Sequence, residues 1–171
     1  MGESNERPTS ASGAKLFKVA FDLDSESANW PPVSVERLWG EKTSVRLQIR
    51  IVNTPFFARG VSFGDLIQVR PDNDRRELVF EEFTQESGHS TIRIIFLKKE
   101  GRRGIESRLR DAGCSWELTH SLPNYMAVDV PPAVGYGELR EWLVGQVGSG
   151  EIEIQESAIS VNHRRQVREF P

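Results

Sequence analysis

Ser87, His89, Ser90 and Thr91 crowd the stretch QESGHSTIRI, immediately ahead of an apolar run. An imidazole can exchange a proton near neutral pH, so a histidine among hydroxyls invites an acid–base reading. A triad can be written with Ser62 or Ser90 as nucleophile, His89 as base and Asp65 as the orienting carboxylate. Neither serine sits in a nucleophile elbow, and residue order alone carries no catalytic argument. The commoner use of such a cluster is a turn or bulge whose Ser and His side chains satisfy backbone groups. Upstream, NTPFFARGVSFGD supplies Arg59, whose planar guanidinium presents a fork of donors. Paired with His89 at one end of a barrel, Arg59 could grip a carboxylate or phosphate. An enzyme built on Arg59, Asp65 and His89 would need all three within hydrogen-bonding reach across a cleft.

Other chemistries find less support. AFDLDSES places Asp22 and Asp24 in the Asp-x-Asp spacing of haloacid-dehalogenase-like hydrolases, where one carboxylate attacks phosphorus and the other moves a proton. Here SESANWPP opens no helix after Asp24, and no doubly wound series follows, so the pair reads as a strand end. His89, His120 and His163 lie far apart and lack the spacing of a metal site. Cys114, the single cysteine, follows a helix-ending glycine and reads as a small apolar thiol facing the core. GYGELREW lacks the third glycine and the preceding strand of a dinucleotide loop. VNHRRQVREF is a small basic patch, but IRIIFL and YMAVDV carry one aromatic each and lack the ribonucleoprotein set that stacks RNA bases, so nucleic acid is not the expected partner. No cofactor and no metal is expected.

The elements that must position these residues follow from periodicity. KLFKVAFD alternates Phe17, Val19 and Phe21 against polar neighbours and predicts a strand. Prolines 31 and 32 break it, and VSVERLW holds the next strand. SVRLQIRIV puts Val45, Leu47, Ile49 and Ile51 on one face of a third strand. LIQVR and ELVFEEF are strands joined by the turn chemistry of PDNDRR, and TIRIIFL reads as a central strand. Between the third and fourth strands, Phe56, Phe57 and Phe63 are expected to cap the open end of a barrel, with Gly60 and Gly64 supplying turns. Beyond residue 97, RRGIESRLRDAG predicts an amphipathic helix stopped by Gly113. SWELT and YMAVDV follow as strands, residues 137–147 as a second helix and EIEIQ as a last strand. AISVNHRRQVREFP is expected to add an edge strand and then fray.

The fold class is therefore α+β. A small β-barrel or rolled antiparallel sheet over residues 15–90 precedes a ferredoxin-like β-α-β-β-α-β module over 91–157. Residues 1–14 read as a disordered leader and 158–171 as a basic tail. The chain has 171 residues, a formal net charge of −3, 37% hydrophobic and 27% charged residues. That balance advertises neither nucleic-acid nor membrane binding, and no apolar run approaches the roughly 20 residues of a membrane span. MGESNERPTSASGAK has no apolar core of a secretory signal, and one cysteine suits a reducing cytoplasm.

PPVSVERLWGE, NTPFFARGVSFGD, ESGHST and MAVDVPP, in that order, make the chain resemble a bacterial domain family of unknown function over roughly residues 15 to 155. The resemblance implies a bacterial, intracellular protein and carries no activity with it. It draws attention to Trp39, Asn53, Phe57, Arg59, Asp65 and His89, to which the polar cluster adds Ser90, as candidate binding residues. The expected function is a non-catalytic binding or interaction protein with a protein partner, of the immunity type. The alternatives are a small-molecule or anion sensor and an enzyme on the Arg59, Asp65, His89 set.

Overall fold

The computed structural model describes residues 7–9 and 13–167, which form two compact units with their boundary in the sequence between Ser87 and Gly88. The leader expected over 1–14 falls largely on residues 1–6 and 10–12, outside the described ones.

In the first unit, β1 (Leu16–Asp22), β2 (Val35–Lys42), β3 (Gln48–Ile51), β4 (Leu66–Asp72) and β5 (Glu77–Gln85) close into a five-stranded ring in chain order. Consecutive neighbours are antiparallel. The closing pair is parallel and short, Val19 beside Leu78 and Ala20 beside Val79. Because strand side chains alternate sides, one parity points inward: Val19 and Phe21, Leu38, Ile49 and Ile51, Ile67 and Val69 fill the ring. Ala58 and Val61 from the β3–β4 connection join that core. Phe21 and Phe80 stack with ring centroids 4.8 Å apart.

The strand expected from Val45 begins only at Gln48. The Thr43 and Gln48 amides donate to the Gln48 and Val45 carbonyls, making residues 43–48 a tight turn. Leu47 takes a left-handed φ of 58° there. Alternating apolar residues imitate a strand because the turn itself carries Val45 and Leu47, which end up 54% and 36% exposed.

The second unit runs β6 (Ser90–Phe96), α1 (Arg102–Asp111), β7 (Ser115–Thr119), β8 (Leu122–Val130), α2 (Tyr136–Gly148), β9 (Ile152–Ala158) and α3 (Val161–Gln166). Its four strands form one antiparallel sheet in the order β7-β8-β6-β9, so the apolar β6 is an inner strand as its sequence demands. Ile92, Ile94 and Phe96 of β6 and Met126, Val128 and Val130 of β8 share a core with Ile105 and Leu109 of α1 and Leu139 and Leu143 of α2. Gly113, at φ +90°, ends α1: its amide donates to Arg110 and that of Cys114 to Leu109, which satisfies two carbonyls of the last turn.

Instead of an edge strand, residues 161–166 form α3. Ser160 caps it, its hydroxyl accepting from the His163 amide, and the His163 ring is fully buried. α3 lies so close to α2 that a Cβ on Gly137 would stand 2.6 Å from the Gln166 carbonyl oxygen, a space only glycine leaves open. Local polarity pointed to a solvated tail; a capped turn with one ring to bury outweighs it.

Candidate functional site

In the ring unit the candidate residues gather along the connection from Asn53 to Asp65. Its anchor is Glu36, a β2 residue on the same parity as buried Leu38. The Glu36 carboxylate accepts the backbone N–H groups of Phe56, Phe57 and Ala58 at 2.7, 2.9 and 2.6 Å, while the residue is only 7% exposed. Three consecutive donors aimed at one carboxylate fix the loop as a helix N-terminus would fix an anion. Asn53 secures the loop's start, its Oδ1 accepting the Trp39 amide at 2.8 Å. Asp65 secures its end: Oδ2 accepts from the Ser62 amide at 2.8 Å and Oδ1 from the Ser87 amide at 2.7 Å. Burial raises the Asp65 carboxyl above the ordinary carboxylate range, and these backbone donors pull partly the other way.

On this rigid loop Arg59 pairs with Glu26 (Nε to Oε1 2.8 Å, with Nη2 on Oε2 at 3.0 Å), so its donor fork already holds a carboxylate. Phe57 meets Trp30 edge to face with centroids 5.5 Å apart. Trp39 carries the ammonium of Lys18 5.1 Å from its ring centroid. Phe56 is buried, whereas Phe57 and Phe63 stay half-buried, so the ring's interior is completed by Ala58 and Val61 rather than by the phenylalanines.

The second unit holds His89 and Ser90. His89 Nδ1 lies 2.8 Å from Asp129 Oδ1. Ser90 Oγ accepts the Ser160 amide at 2.9 Å and lies 2.7 Å from His163 Nδ1. Tyr136 packs on the His163 ring at a centroid distance of 5.4 Å, and its amide donates to Gln166 Oε1. The structure thus groups Asn53 with Trp39, and gives Arg59, Asp65, His89 and Ser90 each a different set of partners. Ser62 contributes its amide to Asp65, and Asp22 pairs with Arg75. Cys114 is buried, and burial together with the nearby Asp129 charge pushes its thiol up to about 12. Among the described residues no group of three His, Cys, Asp or Glu is placed to hold a metal ion, and no helix is long and apolar enough to cross a membrane.

Sequence reasoning passed over Glu36, Glu26 and Asp129, and weighed His163 only as a metal ligand. Glu36 was visible as a carboxylate in phase with Leu38, and Asp129 as a carboxylate inside the apolar run YMAVDV.

Asp129 yields a pH prediction. Burial raises its carboxyl, with the His89 bond opposing. The folded protein therefore holds this proton more tightly than the unfolded chain does. The resulting stability is present below the ordinary value near 3.8 and is lost as pH rises through the raised value. Urea unfolding of the wild type and an Asp129→Asn variant, from about pH 3.5 to about pH 6, is expected to show the difference moving against the wild type as pH rises. A constant difference would contradict this assignment.

A family described as a domain of unknown function (DUF4265) matches residues 36–154, more than half of the chain and all four motifs in part or whole. The chain belongs to the DUF4265 family. The DUF4265 match begins at Glu36, so it takes in the loop anchor as well as Asn53, Asp65, His89 and Asp129. This DUF4265 protein is similar in fold to a crystal structure of a hypothetical protein from Neisseria gonorrhoeae, with a TM-score of 0.68 and 19% sequence identity, over 86% of this chain and 96% of that one. No curated protein matches it.

Proposed function

We propose that this DUF4265 chain is a non-catalytic, intracellular bacterial binding protein that captures a basic partner protein, in the manner of an immunity protein, on the end of β5. The observation that carries the reading is the exposed run Glu81-Glu82-Phe83-Thr84-Gln85-Glu86, which carries three carboxylates and an aromatic side chain that is 45% exposed. Past Val79, β5 is paired with β4 alone among the described strands, so one backbone edge faces outward. An open edge invites a further strand. Like charge repels a second copy of the same acidic strand, whereas a lysine- or arginine-bearing strand gains both ladder bonds and charge complementarity. Two register shifts between β4 and β5 twist this edge and narrow the choice of partner further.

The side chains of the 53–65 loop support the same reading, since Glu36, Asn53 and Asp65 spend their acceptors on backbone donors and hold a fixed shape. The β-α-β-β-α-β order of the second unit, with β6 and β8 inside, supports a ferredoxin-like assignment, a fold that hosts many binding functions.

Affinity capture from host extract, run in parallel with the wild type and an Glu81→Lys/Glu82→Lys/Glu86→Lys variant, tests the proposal. The expected result is a basic protein held by the wild type, released as salt is raised, and absent with the variant. A partner kept equally by both, or no partner on either, overturns it.

A further inference from the structure

The first unit carries a cavity of about 490 Å³ beside the 43–48 turn, within the size range of small-molecule sites. Its walls are Phe17, Val45, Leu47, Ile49, Val69 and Leu78, and its charged lining residues are Lys42 and Arg46. No carboxylate is among the described residues that line it, although acidic residues outnumber basic ones in the chain, 25 to 22. Lys42 and Lys15 place their ammonium groups 4.6 and 5.3 Å from the Phe17 ring centroid, so positive charge concentrates beside an apolar wall. Neither Lys42 nor Arg46 forms an ion pair with a described carboxylate, in contrast to Arg37, Arg59 and Arg75.

The backbone at the mouth is strained in a way that serves this shape. Leu47 occupies the left-handed region, uncommon for a side chain of its size, and its carbonyl accepts the Val69 amide at 2.9 Å. The conformation keeps an aliphatic side chain at the cavity, 36% exposed, where a continuous strand would not put it. Strain of this kind persists where the surrounding structure over-determines it, typically around ligand clamps.

We infer that this cavity binds an organic monoanion with an apolar body, a medium-chain or aryl carboxylate. Its hydrocarbon would lie on Phe17, Leu47 and Leu78 and its carboxylate between Lys42 and Arg46. Both halves of the ligand are needed: the apolar wall supplies burial, and the cations discriminate against neutral molecules of the same length. The inference uses none of the residues 81–86 and stands apart from capture of a basic protein.

Calorimetric titration of the full chain with decanoate, decanol and acetate tests it. Decanoate is expected to bind, decanol to bind about tenfold more weakly or not at all, and acetate not to bind. Lys42→Gln/Arg46→Gln is expected to remove the preference for decanoate over decanol, and Val45→Glu, at an exposed turn position, to abolish decanoate binding. Both variants are checked for an unchanged melting temperature without ligand. Equal binding of decanoate and decanol, no binding of either, or decanoate binding that survives both variants overturns the inference. The Glu81→Lys/Glu82→Lys/Glu86→Lys variant is expected to bind decanoate like the wild type, so the two proposals fail separately.

Discussion

Replacing Glu36 by alanine is expected to cost the first unit about 3–5 kcal/mol, because three backbone donors are left buried without their acceptor. For a domain of this size that is a drop of roughly 15 °C or more in melting temperature. The amides of Phe56, Phe57 and Ala58 are expected to lose their protection against hydrogen exchange first, since they donate directly to the lost carboxylate. Glu36→Leu is the control. It restores volume at a position in phase with Leu38 while supplying no acceptor, so it is expected to remain as damaged as the alanine variant. Recovery with leucine would assign the loss to packing and remove the anchoring role of the carboxylate.

The second large effect belongs to His163. Its ring is completely buried, touches the hydroxyl of Ser90 and packs on Tyr136. Truncation to alanine is expected to cost about 3 kcal/mol, part cavity and part stranded hydroxyl. Ser90→Ala alone removes both the acceptor of the Ser160 amide and the contact to Nδ1. The two substitutions share one network, so the double variant is expected to lose less than the sum of the singles, by about 1 kcal/mol in urea unfolding. Strict additivity would show that the histidine contributes by packing alone.

These two sites also mark where sequence reasoning succeeds and where it stops. Alternation in KLFKVAFD and LIQVR announces β1 and β4, because a ring buries one parity of every strand. The 3.6-residue spacing of Ile105, Leu109 and Ala112, with Gly113 behind them, announces α1 for the same reason of one-sided burial. The turn at 43–48 defeats the rule, since Val45 and Leu47 keep the alternation while Thr43, Gln48 and Val69 dictate the hydrogen bonds. α3 defeats it as well: a six-residue segment has no periodicity to read, and its stability comes from Ser90, which lies 73 positions before His163 in the chain.

The polar residues show a parallel division. Asn53, Asp65, His89 and Ser90 stand out by type and neighbourhood, and each proves to hold a specific partner. Those partners are not legible, because the Trp39 and Ser87 amides, Asp129 and His163 reach them across folded space rather than along the chain. A carboxylate set among buried positions of a strand, Glu36 in phase with Leu38 or Asp129 inside the run YMAVDV, is the signal that sequence offers for such anchors.

The short parallel seam of the ring dictates an order of assembly. Each antiparallel neighbour in that unit can zip from an adjacent turn, at a small entropic cost of loop closure. The pair Val19–Leu78 with Ala20–Val79 joins the first strand to the last and cannot form until the whole unit has left the ribosome. Closure is thus the late, non-local event of folding. A nascent chain halted before β5 would leave β1 paired with β2 alone and its other edge open, so the moment of greatest aggregation hazard falls just before Leu78 arrives.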